Sequence, residues 1–534
     1  MLRNLTSAKK FFIKEIRLNT ISYVILFVVL LASLFIRVYR TQALLGFYYD
    51  QGRDALVVWD LWHEGKPFLI GPVTGLRGIF LGPFYYYLIA PFYLIGKGNP
   101  VYPAVFLAFV SCVAILFLYI ASTKIHSRTA GLIAATIAAF SYKIFTHSRW
   151  LSNPNPILLT SVIFFWSLWE IENNNKDLKI KGQKINFWWI VAALMVGLSL
   201  QLEAASAFFY ILVIFIFFIW HYTNRCRTFS LKGLVAILKE IRDDKLTLLV
   251  SFFVIVLTLV PQIAFNFRHD NILLNNFKDL FFEEKAFRGL TKFVLEERTK
   301  YFWRVFSTLF FDGRERFATL FITISFSMLI ASFNKFKDKV LPLFTIFILP
   351  PVVGYYLFQG NYGNIYDYYM SGYYMIFILL FSIGMAELWR KKLGFLIVLA
   401  FFYHFFSLNK VLIGNYLTAT PATRPIALED EIAAVDFIYN DAKVEREPFN
   451  VDVYVPPVIP YSYNYLLVWR GKIICGDDLC GMVEEEKDVV YTISEPETIH
   501  LDRWENWSKR YEDTTSLEVV EKFGQVMVQK RRRI

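Results

Sequence analysis

Charge is scarce in this chain: 19% of its 534 residues are Asp, Glu, Lys or Arg, while 56% are hydrophobic. A soluble protein of this length needs far more polar surface for water to solvate. The shortage excludes a soluble enzyme and leaves an integral membrane protein. Cysteine is scarcer still. Four cysteines cannot staple a fold of this size. Cys112 falls in an apolar run and Cys226 in a basic loop. Cys475 and Cys480, in "CGDDLC", are spaced to pair if their segment meets an oxidising compartment, and are two free thiols otherwise. No His, Cys and Asp cluster has metal-ligand spacing, so no cofactor is expected. His63 and Glu64 are adjacent and point to different sides of a helix. A divalent ion held by residues remote in sequence stays open. The net charge of +11 does not mark a nucleic-acid binder: no basic stripe interleaves with aromatics on a soluble domain. Internal repeats and Pro- or Ser-rich linkers are also missing.

Long apolar runs are what the chain does have. The first, "ISYVILFVVLLASLFI", follows the basic stretch "KKFFIKEIR". No clear cleavage site follows it, so it reads as an uncleaved anchor. Further spans are expected at 101–122, 130–145, 156–169, 188–202, 204–220, 246–265, 317–333, 340–358, 372–388 and 393–413, about eleven in all. With the N-terminus inside, the inner loops carry Lys124 and Arg128; Lys176, Lys179, Lys181 and Lys184; Arg225 and Arg227; Lys335, Lys337 and Lys339; and Arg390, Lys391 and Lys392. The short outer loops are nearly bare of cations, Arg149 excepted, as the positive-inside rule requires. Counting 78–96, "GIFLGPFYYYLIAPFYLIG", as a span would put every later Lys-rich loop outside. Pro83 and Pro91 oppose a simple spanning helix, so this segment is expected to lie in the outer interface. Residues 47–100 and 266–316 then form two long outer loops with interfacial helices. From about Asn415 the composition changes. "ALEDEIAAVDFIYNDAK" has helical spacing; "FNVDVYVPP", "KDVVYTISEP" and "GQVMVQKRRR" read as strands; "YNYLLVWRG" fits either. The expected architecture is a polytopic α-helical membrane domain, 1–414, and a small extracytoplasmic α/β domain, 415–534. The basic tail Lys530–Arg533 is in tension with that placement, because basic ends prefer the inside.

"FYYDQGRDAL" sets Asp50 and Asp54 beside the membrane with Arg53 between them. A charge there is costly unless solvated, paired or used. On one helical turn Arg53 can pair with either acid. Alone, the triplet reads as a solvated salt-bridge cap on an interfacial helix. Its neighbours shift that reading. "HSRWLSNPNP", "LQLEAAS" and "NFRHD" place Arg149, Glu203, Arg268 and His269 at the outer ends of spans. A transporter more often buries its polar groups near the midplane. Polar groups gathered at one interface suit a substrate with a membrane-embedded tail and an anionic headgroup, for which Arg and Lys are the expected partners.

In order, "YDQGRDAL", "LGPFYYYLIAP", "SRWLSNPNP" and "PQIAFNFRHD" resemble the pattern of the polytopic GT-C glycosyltransferases. The likeness is to the bacterial family 39 group, akin to protein O-mannosyltransferases and lipid A aminoarabinose transferases, and it covers residues 1–413 in architecture. It implies a membrane enzyme that passes a sugar from a polyprenyl-phosphate carrier to a lipid, protein or polysaccharide acceptor at the outer face, with membrane lipids around it. Asp50 matches the general base and Arg53 its basic partner. Two departures stand out. Asn153 and Asn155 occupy the place of a second acid, and Glu203 that of a polar or basic group. The chemistry fits independently: a carboxylate takes the acceptor's proton, attack opposite the leaving group inverts the anomeric centre, and Arg53, Lys66, Arg149 or Arg268 steadies the leaving phosphate. Arg268 and His269 are expected to hold the carrier phosphate. Asp54, Asn153, Glu203, Asp367 and Tyr373 are candidates for acceptor or sugar contacts, although the Tyr-rich stretch 366–374 also fits an interfacial aromatic belt. The alternatives are a transporter or flippase for a lipid-linked sugar, and a non-catalytic scaffold.

Overall fold

A computed structural model describes residues 15, 17–75, 78–173, 178–180, 183–226, 231–280, 289–360, 363–456 and 459–534. Lys176, Lys181 and Arg227, and most of the basic stretch before the first apolar run, lie outside the described residues.

Each expected span is helical. The helices are α1 (Thr20–Val38), α4 (Val101–Ile125), α5 (Arg128–Phe140) with α6 (Tyr142–Arg149), α7 (Ile157–Asn173), α8 (Phe187–Leu202), α9 (Ala204–Cys226), α10 (Lys245–Arg268), α13 (Glu315–Ala331), α14 (Val340–Leu357), α15 (Ser371–Trp389) and α16 (Gly394–Thr418). Among the described residues, seven helices are long and apolar enough to cross a membrane. The expected span 130–145 is bent by 60° between α5 and α6. At the bend Ser141 leaves the helical region and its hydroxyl accepts the Ile144 N–H. Two arginines lock this corner. Arg37, buried on α1, donates to the carbonyls of Ala138 and Ala139 at the end of α5. Arg149 donates in return to Ile36, Arg37 and Tyr39 at the end of α1. Each guanidinium thus satisfies carbonyls that a helix end leaves open. Helix α15 is apolar on every side and buried from Ser371 to Leu388, so it forms the centre of the bundle.

Between α1 and α4 lie α2 (Tyr49–Glu64) and α3 (Phe84–Ile95). At 12 residues α3 is far too short to span. It buries Tyr85, Tyr86, Ile89, Ala90 and Tyr93. The second long loop carries α11 (Ile272–Lys278) and α12 (Lys292–Ser307). A short antiparallel pair, β1 (Leu178–Ile180) and β2 (Gln183–Ile185), joins α7 to α8.

The C-terminal region is α17 (Leu428–Glu445), β3 (Phe449–Tyr454), α18 (Tyr461–Cys475), β4 (Val489–Ser494), α19 (Leu501–Glu512), β5 (Thr515–Phe523) and β6 (Val526–Arg533). Its sheet order is β3-β4-β6-β5, with β3 and β4 parallel and the other pairs antiparallel. Parallel neighbours need a crossover, and α18 supplies it; "YNYLLVWRG" is therefore helix. Cys475 and Cys480 are disulfide-bonded, with Cα atoms 5.2 Å apart. The basic tail is strand β6, and its charges are paired inside the domain: Lys530 with Asp441 at 2.8 Å, Arg532 with Glu518 at 2.7 Å, and Arg533 with Glu486 at 3.2 Å. Folded this way, the tail carries no free positive block to be read as a topology signal.

This domain grips the first loop. A Cβ on Gly52 would stand 2.3 Å from the Ser462 nitrogen, so only glycine lets α2 and α18 approach this closely. Tyr49 and Tyr461 stack edge-on at 4.9 Å, and Trp469 Nε1 donates to the Lys97 carbonyl at 2.8 Å. Glu431, fully buried in α17, is held well above the carboxylate range by its burial and by Glu495.

Candidate active site

Helix α2 begins where Gln51 Oε1 accepts the Tyr48 N–H at 3.1 Å, which sets Asp50 in the first turn. Asp50 is 56% exposed and pairs with Arg53 Nη1 at 2.9 Å. The two acids around Arg53 have different fates. Asp54 is only 4% exposed. Its Oδ1 accepts from Arg53 Nε at 3.0 Å, from Arg53 Nη2 at 2.8 Å and from the Tyr86 hydroxyl at 3.1 Å. Burial pushes the Asp54 carboxyl up to about 6 against the downward pull of Arg53. Burial also works against the Arg53 charge, but Asp54 outweighs it and holds the guanidinium protonated. Tyr86, Asp54 and Arg53 thus form a braced chain that aims Nη1 at Asp50.

Asp50 and Arg53 line a cavity of about 450 Å³ together with Asn153 and Glu203. The "SRWLSNPNP" turn supplies one wall through Trp150, Ser152, Asn153 and Pro154. Asn155 staples that turn from behind: its amide donates to the carbonyls of His147, Ser148 and Trp150 at 3.3, 3.0 and 3.0 Å. Asn153 Nδ2 donates to the Leu202 carbonyl at 2.6 Å, tying the turn to the α8–α9 corner. Glu203 occupies that corner, 6% exposed. Its Oε1 accepts the Ala205 N–H at 3.0 Å, and burial pushes the carboxyl up to about 8 against that bond. Tyr355, Tyr368 and Tyr369 form the far wall, and Gln262 of α10 a side.

The remaining candidates stand elsewhere. Lys66 is exposed and pairs with Glu64. Arg149 is consumed by the α1 carbonyls, as above. Arg268 and His269 are exposed at the end of α10, with the His269 ring stacked on Phe265 at 4.1 Å. Asp367 is held by Lys143 at 2.8 Å and Arg304 at 2.9 Å, beside rather than in the cavity wall. Tyr373 is fully buried and donates to the Ser206 carbonyl at 2.8 Å. Sequence reasoning did not single out Trp150, Gln262, Tyr355 or Tyr86. Gln262 had a visible signal, an amide inside an apolar run. For the others only assembly shows which aromatics face inward. Among the described residues no group of three or more His, Cys, Asp or Glu is placed to hold a metal ion.

No protein-family model matches the chain, and no curated protein matches it in sequence. Solved structures do. ArnT from Cupriavidus metallidurans bound to undecaprenyl phosphate superposes with a TM-score of 0.58 at 11% identity, over 96% of this chain and 98% of that one. The fold is the GT-C fold. The apo form of the same ArnT gives 0.58 over 95% and 97%. The Archaeoglobus fulgidus oligosaccharyltransferase with Zn and sulfate gives 0.48 at 12% identity, over 88% and 68%, and nothing is built on it. The GT-C likeness runs through the C-terminal α/β domain as well as the helices, since almost the whole of both chains is covered.

Proposed function

We propose that this chain is a membrane glycosyltransferase that moves a sugar from a polyprenyl-phosphate carrier to an acceptor at the extracytoplasmic face of the inner or plasma membrane. The observation that carries this reading is the convergence of Asp50, Arg53, Asn153 and Glu203 on one cavity in a chain with the fold of ArnT. The undecaprenyl phosphate bound to that ArnT supports a lipid-phosphate leaving group here. The acceptor is a lipid, protein or polysaccharide hydroxyl. Residues 1–414 form the transferase body, and 415–534 form a domain that steadies the helix bearing Asp50.

In the reaction the acceptor oxygen attacks C1 of the sugar as its proton passes to the Asp50 carboxylate. The bond from C1 to the phosphate oxygen breaks, and that oxygen keeps the electron pair. Arg53, braced by Asp54, stabilises the polyprenyl phosphate as it leaves. Attack from the face opposite the phosphate inverts the anomeric centre. Asp50 is half-exposed beside the cavity, where an incoming hydroxyl has access.

The test is Asp50→Asn in the purified full chain, supplied with radiolabelled polyprenyl-phosphate sugars. Loss of a general base costs about 10²–10⁴-fold in turnover. Release of free carrier phosphate should fall by that factor while the melting temperature in detergent is kept. Undiminished release ends the assignment; transport of an intact lipid-linked sugar, with no carrier released, favours a flippase.

A further inference from the structure

The cavity holds two acceptor atoms that the protein itself leaves unused. Glu203 Oε1 takes the Ala205 N–H, and no described residue hydrogen-bonds Oε2. Gln262 spends its amide N–H on the Phe80 carbonyl at 3.3 Å, while its Oε1 is buried without a partner. A buried acceptor left unsatisfied costs about 1–3 kcal/mol, so natural proteins keep few of them. Gln262 Oε1 is such an atom, and Glu203, with its second oxygen unpartnered among the described residues, lines the same cavity from an element remote in sequence; the pair needs an explanation. Among the described residues no cation is paired with Glu203 in the way Arg53 is paired with Asp54 and Asp50. The walls around it are Leu200, Leu259, Tyr355 and Tyr368. The carboxyls of Asp50 and Glu203 in the same lining disfavour a further carboxylate, with Arg53 already paired to Asp50 and Asp54, and the tyrosine rings offer stacking faces beside acceptors. That chemistry suits a neutral, hydroxyl-bearing pyranose: rings pack its apolar faces and acceptors take its O–H groups.

Resting on the glycosyltransferase reading above, we infer that Glu203 and Gln262 are the specificity-determining residues for the transferred sugar, each accepting a hydroxyl of a neutral glycosyl group and together excluding an acidic one. With Oε1 on the Ala205 N–H, Oε2 meets a sugar hydroxyl as an acceptor when ionised and as a donor when protonated. An enzyme site built to hydrogen-bond a hydroxyl rejects the analogue lacking it, because the site's own group is then left unpaired.

The experiment compares polyprenyl-phosphate hexose, its single-deoxy analogues, the matching uronic acid and bare polyprenyl phosphate, with the wild-type full chain and with Glu203→Leu, Glu203→Gln and Gln262→Leu. One lost hydrogen bond of about 1.4 kcal/mol is tenfold in binding. Glu203→Leu should raise KM for the intact hexose about tenfold, with little change in kcat. The loss should vanish for the one deoxy analogue that lacks the partner hydroxyl. Gln262→Leu should do the same with a different analogue. Glu203→Gln, of equal size, should recover part of the loss. The wild type should discriminate against the uronic acid. The change should fall on sugar-bearing carrier rather than on bare polyprenyl phosphate, which serves as the control for folding. An unchanged KM in both Leu variants, an equal loss with every analogue, or a fall confined to kcat overturns this assignment. If Asp50→Asn also leaves turnover intact, or no sugar is released from any carrier, the glycosyltransferase reading fails and takes this one with it.

Discussion

The two ends of the helix bundle differ in how they treat carboxylates, the braced Asp54 apart. At the end where α4, α7 and α15 finish, each of three acids is paired with a cationic or histidine side chain. Glu387 accepts from His126 at 2.6 Å, Lys335 at 2.5 Å and Arg390 at 3.0 Å. Glu170 accepts from Lys124 at 3.1 Å and Trp166 at 2.8 Å, and Glu172 pairs with His221 at 2.7 Å. At the other end Glu203 has one backbone partner, and Asp50 is shared between Arg53 and water. Carboxylates paired across helices lock helix ends together; one without a side-chain partner does not. One bundle therefore holds both a cross-paired layer and a layer with a carboxyl that no side chain pairs, and the contrast can be broken from either side.

The largest effect is expected from Asp50→Asn, which should stop carrier release. Next comes Asp54→Ala. It leaves the Arg53 guanidinium, 16% exposed, without its main partner. Removing one member of a buried pair costs about 3–5 kcal/mol. Both a lower melting temperature and a lower kcat are expected, whereas Glu387→Ala should lower the melting temperature without changing KM for the carrier. A kcat effect of Glu387→Ala as large as that of Asp54→Ala would erase the distinction between the two ends.

Acidity provides a third test. The Glu203 carboxyl stands at about 8 against its ordinary 4.5. The folded state therefore binds the extra proton between those values, and stability falls as pH rises through that window, by at most about 1.4 kcal/mol per pH unit. Glu431, raised in the same direction, adds to the slope. Thermal melts between pH 5 and 8 should show the decline, and Glu203→Gln should flatten part of it. A slope that Glu203→Gln leaves unchanged contradicts the burial of this acid.

Smaller effects are expected at the seam and the rim. Gly52→Ala forces a methyl against the Ser462 backbone, and overpacking of this kind costs about 1–3 kcal/mol. Hydrogen exchange in α18 should quicken. Arg268→Ala removes an exposed cation outside the cavity wall. Its effect on carrier affinity should be about two- to threefold and fade with added salt.

Much of this was legible before folding. Helix length and apolarity forecast the spans, and the strands β3, β4 and β6 read from alternation. Strand β5 and helix α19 were not assigned: β5 is charged and half-exposed, and α19 buries only Trp507. Asp50, Arg53, Asn153 and Glu203 were visible because polar residues at span ends stand out against apolar neighbours. The difference between Asp50 and Asp54 was not. Both flank Arg53, and only Tyr86 from another helix makes one a brace. Arg149 and Asp367 showed their charge but not its target, which turned out to be the α1 carbonyls and the Lys143–Arg304 pair.

Residue order alone therefore settles that this is a many-helix membrane protein with a folded tail, because transfer into a bilayer depends on the apolarity of each segment locally and additively. Which polar groups share a cavity, which are silenced by a partner and which stay available depend on distances between elements hundreds of residues apart. Those distances exist only once the helices are packed, and it is they that separate the end with the candidate site from the end whose acids are paired.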